Sequence, residues 1–337
     1  MRALTVHELG DPAEVLRLED VEEPAPGPRD VVVEIAGCGL NFADILLCRG
    51  QYQQRPPLPF TPGLETSGRI VAVGEGVGDR SVGQRVIAMP RLPRGGLAER
   101  IVTPATATYP IPDDLDDAEA ASIHVAYQTS WFALHRRVAL RPGEWLLVHA
   151  AAGGVGSAAV ELGVAAGARV IATAGGAEKV ERCRQLGAEV VVDYSAEDFV
   201  PIVRDVTGGH GADVVYDPVG GDTFDRSRKI VAWEGRLLVI GFASGHIPEV
   251  PANHLLVKNY AVVGLNWSAY NERDPGAVVE CHEALMRLHG EGRIAPVVFA
   301  ELPLDRAVEG LTLLGNRQTS GTVVISPGGQ PVESTPR

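Results

Sequence analysis

The strongest constraint on the fold of this chain is a strand-turn-helix pattern near its middle. The apolar run LLVHA at residues 146–150 leads into AAGGVG at residues 151–156, and small residues follow to position 166. In a dinucleotide-binding turn, one small residue makes the turn, a second admits a pyrophosphate and a third lets the helix pack on the strand. Ala151, Gly153 and Gly156 hold these places, with alanine replacing the first glycine. An ordinary tight turn is the alternative. The candidate pyrophosphate contacts are Ala152, Gly153, Gly154, Val155 and Gly156.

Strand-like segments continue on the C-terminal side of this turn and alternate with helix-like ones. The continuous apolar runs lie at residues 170–173, 190–192, 213–217, 237–240 and 261–265. Strands that alternate with helices form parallel βαβ units, in which both faces of the sheet are buried. The sequence therefore predicts a doubly wound α/β domain over residues 126–266.

The flanking parts of the chain have a different pattern. Residues 1–125 contain short apolar runs separated by Pro- and Gly-rich turns, which is typical of a mostly-β domain. Residues 267–326 hold too little apolar material for a core of their own, so we expect them to complete the first domain. The polar, Pro- and Gly-containing residues 327–337 predict a flexible tail.

Composition narrows the class of protein. The 337 residues include 30 Lys and Arg against 43 Asp and Glu, for a net charge of −13, which argues against nucleic acid as a partner. No apolar run reaches the roughly 20 residues of a spanning helix, and the N-terminus lacks a signal-peptide pattern. The 4 cysteines include no Cys-x-x-Cys pair. We therefore expect a cytoplasmic protein of two domains, with no membrane partner.

The end of the second predicted strand bears on the choice of nucleotide. A site for NAD usually carries an acidic residue there, bonded to the ribose hydroxyls. Here the strand ends ATAGG at residues 172–176, with Lys179 just beyond it, and Tyr194 follows the third strand. A cation and a hydroxyl could bind a 2′-phosphate, although Asp193 is a counter-indication. The pattern favours NADPH, and the alternatives are a solvated lysine and a strand-end aromatic residue.

Several segments together resemble a known family. They are GLNFAD at 39–44, PGLETSG at 62–68, AAGGVG at 151–156, DY at 193–194 and DPVGG at 217–221. The chain resembles the zinc-independent NADPH:quinone oxidoreductase (zeta-crystallin-like) family of medium-chain dehydrogenases/reductases. The resemblance implies an α/β protein, with a GroES-like, mostly-β catalytic domain and a doubly wound, parallel-sheet Rossmann domain that binds NADPH. It also implies a homodimer.

The same resemblance bears on metal binding. Zinc-dependent relatives carry a cysteine ligand where this chain has Asn41 and a histidine ligand where it has Leu64. Leucine cannot bind a metal, and a neutral amide is a poor zinc ligand. We therefore expect no metal site, and Glu65 is expected to be structural.

Without zinc, hydrogen-bond donors would stabilise charge on the acceptor oxygen. The family positions near the nicotinamide are the Asn41 amide and the Tyr52 hydroxyl, which are the candidate catalytic residues, and Asn41 is also a candidate cofactor contact. The alternatives are a loop-capping residue and a surface aromatic residue. A second family tyrosine is replaced by Leu46, which makes the pocket more apolar.

The resemblance implies further cofactor contacts. Thr129 is predicted to open a helix near the nicotinamide and the phosphates. Trp267, at the end of the sixth predicted strand, is a further candidate cofactor contact, and its large side chain leaves the choice of acceptor open. The remaining candidates, most of them at predicted strand ends, are Val219, Ile240, Gly241, Phe242, Leu265, Asn266 and Arg317.

Three functions remain open at this point. The first is NADPH-dependent, metal-independent reduction of a quinone. The second is reduction of an activated carbon–carbon double bond, as in an enal, an enone or an enoyl-CoA. The third is a non-catalytic NADPH-binding or RNA-binding protein. The expected partner is a small electrophilic acceptor.

Overall fold

The computed structural model describes residues 1–328, which form two compact units. Met1–Val125 and the segment that begins at Pro296 make the first unit, and Ala126–Ala295 makes the second. The predicted flexible tail lies, from residue 329 onward, outside the described residues.

The bounds of the elements are as follows. The strands are β1 (Arg2–Val6), β2 (Leu16–Asp20), β3 (Asp30–Gly39), β4 (Glu65–Val73), β5 (Arg85–Ala88), β6 (Arg100–Pro104), β7 (Thr108–Pro110), β8 (Trp145–Val148), β9 (Arg169–Ala174), β10 (Val190–Asp193), β11 (Ala212–Asp217), β12 (Val231–Val239), β13 (Ala261–Gly264), β14 (Val298–Pro303) and β15 (Thr322–Ser326). The helices are α1 (Pro12–Val15), α2 (Phe42–Cys48), α3 (Asp117–Trp131), α4 (Gly154–Ala165), α5 (Ala177–Gln185), α6 (Phe199–Val206), α7 (Gly221–Ser227), α8 (Ala252–Lys258), α9 (Tyr270–Arg273), α10 (Pro275–Gly290) and α11 (Ala307–Gly315). Single 3-10 turns lie at Ala105–Ala107, Trp267–Ala269 and Leu304–Arg306, and a π-helical turn lies at Phe132–Arg137.

The first unit is built on a mostly antiparallel sheet. Its strands follow the order β14-β15-β3-β4-β5-β7, β6 also pairs with β3, and β1 pairs with β2 in a separate ribbon. The long strands β3 and β4 pair over most of their length, with Gly39 opposite Glu65 at one end. Buried Val31, Val33 and Ile70 lie in the core of this unit. The predicted mostly-β domain is confirmed.

The second unit contains six parallel strands in the order β10-β9-β8-β11-β12-β13. Numbered within the unit, this is the order 3-2-1-4-5-6 of a dinucleotide-binding doubly wound sheet. The central strand β8 is apolar and fully buried because helices cover both faces of such a sheet. The doubly wound prediction is confirmed. The order also places the turn after β8 where the direction of winding reverses, which is where ligands bind in these folds.

Residues 267–295 do not return to the first unit as expected. They belong to the second unit, because Val278, Cys281 and Leu285 of α10 are buried there. The indole of Trp267 donates a hydrogen bond to Gln128 Oε1 (3.2 Å), and the amide of Gln128 donates to the Val278 carbonyl (3.3 Å). The sequence showed that this segment lacked a core of its own, but not which domain supplied one. Only the part from Pro296 onward completes the first unit.

The prediction that Thr129 opens a helix is wrong. Helix α3 begins at Asp117, where the side chain of Asp116 accepts a hydrogen bond from the Glu119 amide (2.7 Å), as an N-cap residue does. Fifteen residues then run to Trp131 without a break. Thr129 therefore lies in the last turn of α3.

Candidate active site

The glycine-rich turn of the second unit joins the end of β8 to α4. Ala150 adopts a left-handed conformation (φ 49°), and its carbonyl accepts a hydrogen bond from the Gly153 amide at 3.0 Å. The Ala151 amide donates to the carbonyl of Thr173 on β9 (3.0 Å). These bonds fix the turn, so that α4 begins at Gly154 with Gly153 as its N-cap residue.

The two outer glycines of this turn differ in what the fold requires of them. A β-carbon on Gly156 would lie 2.2 Å from the Ala150 carbonyl oxygen, so the helix can approach the strand only with glycine there. A β-carbon on Gly153 would lie 3.4 Å from the same atom, which is an ordinary contact, and its φ is −82°. Neither packing nor backbone conformation requires glycine at Gly153. Space at this position suits a ligand that approaches the backbone.

The N-terminus of α4 can hold an anion. The first amides of a helix have no intrahelical acceptors, and the helix dipole is positive at that end. In α4 these amides belong to Gly154, Val155 and Gly156, of which the first two are partly exposed. The predicted contact Ala152 is buried at the base of the turn. These features fit the pyrophosphate of a dinucleotide.

Helix α3 supports this turn through Ser130. The Ser130 hydroxyl donates to the Val155 carbonyl (2.9 Å) and lies 2.9 Å from the hydroxyl of buried Tyr216 on β11. Thr129 is adjacent to Ser130 and partly exposed. The region around Thr129, which was predicted to bind the cofactor, is thus hydrogen-bonded to the turn through Ser130. It lies at the end of a helix and not, as predicted, at the start of one.

The residues predicted to select NADPH follow the carboxyl ends of β9 and β10, which are neighbouring parallel strands. The ring of Tyr194 covers Gly175, because a β-carbon on that glycine would lie 2.7 Å from the phenol oxygen. Tyr194 is 50% exposed, and Lys179 lies in the first turn of α5. Asp193 Oδ1 accepts hydrogen bonds from the Ser195 hydroxyl and from the amides of Gly176 (3.1 Å) and Ser195 (3.0 Å). These bonds lower the pKa of Asp193, and through them Asp193 stabilises the loop.

The ends of β11 and β12 form a second set of backbone contacts. Asp217 Oδ1 accepts from the amides of Val219 (2.8 Å) and Gly220 (3.0 Å), and the Ile240 amide donates to the Asp217 carbonyl (3.0 Å). The other carboxylate oxygen of Asp217 is buried and has no hydrogen-bond partner among residues 1–328, and burial raises the pKa of the group. In the sequence, Asp217 stands out only as the first residue of the motif DPVGG. An unsatisfied buried oxygen costs about 1–3 kcal/mol.

The remaining candidates of the second unit follow strand ends. Gly241 and Phe242 come after β12, and Phe242 is 38% exposed. Leu265 and Asn266 come after β13, and the Leu265 amide still pairs with the Val239 carbonyl (3.2 Å). The side chain of Trp267 is only 6% exposed, so most of it packs inside this unit.

In the first unit, Asn41 is hydrogen-bonded on its donor side. Its amide nitrogen donates to Glu65 Oε1 at 2.8 Å and to the Gly39 carbonyl at 3.3 Å. Its backbone amide donates to Asp44 Oδ2 at 2.8 Å, and Asp44 Oδ1 accepts from the Gly63 amide at 2.9 Å. Both side-chain hydrogens of Asn41 are therefore in use. The expected role of the Asn41 amide as a donor to a substrate oxygen does not fit this geometry.

Two buried carboxyl groups surround Asn41. Glu65 is 1% exposed and accepts from the Val125 amide at 2.7 Å, while burial raises its pKa to about 8. Asp44 is fully buried, and burial raises its pKa to about 6. Sequence reasoning assigned Glu65 a structural role and did not single out Asp44. The sequence did contain a signal that could have identified both acids, because each lies inside one of the family motifs.

Tyr52 offers a free hydroxyl near the core of the first unit. Its ring packs against the core cluster, as do the partly buried Leu64 and Leu92. The hydroxyl has no hydrogen-bond partner within the described part of the chain, and burial raises its pKa, which keeps it protonated. Leu46, at the family's second tyrosine position, is partly buried on α2.

Arg317 lies in the loop after α11. It is exposed, and its φ of 58° is left-handed, a conformation usually taken by glycine one residue past a helix C-cap. This left-handed conformation costs a non-glycine residue about 1–2 kcal/mol.

Within residues 1–328 no cluster of three or more His, Cys, Asp or Glu side chains has the arrangement of a metal site. No helix in that range combines the length and apolar character needed to cross a bilayer.

Comparisons with known proteins agree with this architecture. The alcohol dehydrogenase GroES-like domain family matches residues 27–113, and the zinc-binding dehydrogenase family matches residues 154–282. The chain is 40% identical over 327 residues to a quinone oxidoreductase-like protein 2 homolog of Nematostella vectensis, covering 96% of this chain and 88% of the relative. The GroES-like and Rossmann predictions are thereby confirmed.

Two solved structures are similar over nearly all of the chain. The Escherichia coli quinone oxidoreductase, solved as a complex with NADPH, is 30% identical with a TM-score of 0.90, covering 97% of this chain and 100% of that one. The CurK enoyl reductase is 27% identical with a TM-score of 0.86, covering 96% and 98%.

Proposed function

The chain belongs to the quinone oxidoreductase-like family of medium-chain dehydrogenases/reductases, and we propose that it is an NADPH-dependent reductase of quinones. The observation that carries this proposal is the turn after β8. It leaves room at Gly153 that the fold does not need, in front of the free amides of α4. The relative from Escherichia coli, which has the same fold, is a quinone oxidoreductase complexed with NADPH.

NADPH would be held by backbone groups at the carboxyl edge of the parallel sheet. The first amides of α4 would bind the pyrophosphate, and Lys179 with Tyr194 would bind the 2′-phosphate. When bound, NADPH supplies a hydride, and the protein supplies placement and electrostatics.

The acceptor needs a donor to the oxygen on which negative charge develops. Tyr52 suits this task because its hydroxyl is free of other hydrogen bonds among the described residues and its raised pKa keeps the proton in place. Asn41 does not suit it, because both of its N–H groups already have acceptors.

We also propose that the reaction needs no metal. Leu64 offers no ligand atom at the position of the zinc-binding histidine of its relatives. The nitrogen of Asn41, at the position of the cysteine ligand, is committed to Glu65. Hydrogen bonds, and not a metal ion, would then polarise the acceptor.

Reduction of an activated carbon–carbon double bond is the second candidate. The likeness to the CurK enoyl reductase supports it, as does the apolar Leu46 at a family tyrosine position. The third candidate is a non-catalytic NADPH-binding or RNA-binding protein, and the net charge of −13 opposes RNA. Turnover of NADPH with a panel of quinones, enones and an enoyl-CoA separates these functions. Oxidation by quinones alone supports the first proposal, oxidation by the other acceptors alone supports the second, and tight binding without turnover supports the third.

We further propose a homodimer formed at the edge of the parallel sheet. Strand β13 is the edge strand, and Ala261 and Gly264 on it are exposed. Apolar side chains nearby in sequence are also exposed, with Trp233 at 64%, Leu256 at 78% and Val257 at 76%. A bare strand edge beside apolar residues is a surface that proteins normally cover. Light scattering would distinguish a monomer from a dimer, and we expect a dimer. Leu256→Asp should shift that dimer to a monomer.

A cytoplasmic location is the last part of the proposal. All four cysteines are free and buried, which is typical of a reducing compartment. Fractionation of cells that express the tagged chain tests this.

A further inference from the structure

Lys258 is one of three lysines in the chain, with Lys179 and Lys229. It is the last residue of α8, in the second unit, and it is partly buried. Its ammonium group donates a hydrogen bond to the Arg228 carbonyl at 2.8 Å. Arg228 is the C-cap residue of α7, so the amine lies at the junction of α7 and β12, inward from the edge strand β13. This bond fixes the side chain but supplies no negative charge.

A second cation reaches the same junction from α6. The Arg204 guanidinium donates to the carbonyl of Lys229, the residue after Arg228, at 3.3 Å. Side chains from two helices therefore bind adjacent carbonyl groups. Neither Arg204 nor Lys258 forms an ion pair with a carboxylate in the portion of the chain that the structure describes. With 43 acidic residues against 30 basic ones, a carboxylate partner for each would be easy to supply.

The charges in this cluster act on one another. Burial and the nearby charge of Arg204 lower the pKa of Lys258. Burial and the charges of Lys258 and Arg228 lower the pKa of His254. Arg228 itself pairs with Asp225 at 2.6 Å. The positive potential at Lys258 and His254 is therefore not cancelled, although one of its sources is paired.

Capping of α7 does not account for two cations at this junction. Cations do stabilise the last carbonyl groups of a helix, but a side-chain amide would donate to the same oxygens without repulsion. A guanidinium adds a planar fork of donors that suits a phosphate, and the Lys229 carbonyl occupies only part of the Arg204 fork. A lysine with a lowered pKa adds a larger fraction of neutral amine, which is a nucleophile.

We propose that Lys258 is a modification site that takes an acyl group from an acyl phosphate held by Arg204. The nitrogen of the neutral amine forms a bond to the acyl carbon. The bond from that carbon to the phosphate oxygen breaks, and phosphate leaves with the electron pair. One proton of the amine passes to solvent, so the products are an amide and inorganic phosphate. The step needs neither NADPH nor an electron acceptor, so it does not depend on the proposed function.

Acetyl phosphate is the probe for this reaction, and Lys229 is the internal control. Lys229 is exposed, and its charge lowers the pKa of Asp198, so that lysine has a carboxylate nearby. Peptide mass spectrometry of the full chain gives the initial rate of acetylation at each lysine. We expect Lys258 to react at least about fivefold faster than Lys229. Acetylation of Lys258 no faster than that of Lys229 would overturn the proposal.

Inorganic phosphate tests the anion site in the unaltered protein. It should compete with acetyl phosphate at Arg204 and slow the acetylation of Lys258, while the rate at Lys229 stays nearly the same. A rate at Lys258 that does not respond to inorganic phosphate contradicts a phosphate site beside this lysine.

Arg204→Gln separates phosphate binding from the reactivity of the amine. Glutamine keeps a donor for the Lys229 carbonyl and removes the charge. Acetylation of Lys258 by acetyl phosphate should fall at least about fivefold, because the phosphate site is lost and the pKa of the amine rises. Acetic anhydride is uncharged, so its reaction at Lys258 should fall less. Arg29→Gln, at an exposed arginine of the first unit, is the matched control and should change neither rate. Equal falls with the two reagents in Arg204→Gln, or no fall with either, would refute the role of Arg204.

Discussion

A β-carbon on Gly156 would lie 2.2 Å from the carbonyl oxygen of Ala150, whereas one on Gly153 would lie 3.4 Å from the same oxygen. Glycine is thus required by the fold at the first position and not at the second. The two residues are three apart in one turn, which makes them a matched pair for separating stability from cofactor binding.

We expect Gly156→Ala to destabilise the protein by about 1–3 kcal/mol, because the new methyl group forces the helix away from the strand. Gly153→Ala should leave the melting temperature nearly unchanged and weaken NADPH binding at least about tenfold, because the methyl group occupies ligand space. Thermal unfolding and calorimetric titration measure the two effects. Full NADPH affinity in Gly153→Ala would show that no phosphate approaches this turn.

Lys179→Ala should weaken NADPH binding by about tenfold to a hundredfold and leave NADH binding nearly unchanged, because a charge-assisted bond to the 2′-phosphate is lost. The exposed Lys229→Ala is the matched control for loss of one positive charge. The measurement is the dissociation constant of NADPH and of NADH for each variant. Equal losses of affinity for NADPH and NADH in Lys179→Ala would show that Lys179 does not bind the 2′-phosphate.

Tyr52→Phe removes only the hydroxyl and keeps the ring packed on the core. Loss of one donor to a developing oxyanion lowers kcat by about a hundredfold in other enzymes, and we expect a loss of that order here. NADPH affinity should not change. Single-turnover rates at saturating NADPH provide the measurement. A rate equal to that of the unaltered protein would mean that the acceptor oxygen has another donor.

Glu161 gives a pH dependence to stability. It is buried on α4, where it accepts hydrogen bonds from the Tyr127 hydroxyl and the Ala295 amide (3.0 Å), and burial raises its pKa from 4.5 to about 7. The native state therefore holds this proton more tightly than the unfolded state. The resulting stability is fully present below pH 4.5 and is lost as the pH rises through 7.

Glu161→Gln stays neutral at every pH and keeps an acceptor for Ala295. Relative to the original protein it should gain stability from pH 4.5 to 7, by at most about 3 kcal/mol. Denaturant unfolding at a series of pH values measures the difference. A difference that stays constant with pH would show that Glu161 does not titrate in this range.

Local patterns in the sequence predicted much of the fold. The glycine-rich turn and the continuous apolar strands specify a parallel sheet because both follow from short stretches of chain. Thr129 was misplaced because the cap at Asp116 lies thirteen positions earlier, and a helix of small and polar residues gives no strong periodic signal between them. Residues 267–295 were misassigned because the partner of an apolar helix face cannot be identified from that face alone.

The candidate active site was predicted less completely than the fold. The identities of Asn41 and Tyr52 follow from resemblance, but their hydrogen-bonding roles depend on partners distant in sequence. Glu65 lies 24 residues from Asn41, and only the register of β3 against β4 shows that its carboxyl group accepts one hydrogen of the Asn41 amide, while the Gly39 carbonyl accepts the other. A sequence gives the residue type at a site, whereas the direction of its dipole depends on tertiary contacts.

The most direct test of the account is NADPH oxidation by a quinone in protein stripped of metals with a chelator. We predict steady loss of nicotinamide absorbance, with zinc absent by elemental analysis and no increase when zinc is added. NADPH oxidation that requires added zinc, or the absence of oxidation with every quinone despite tight NADPH binding, would contradict the account.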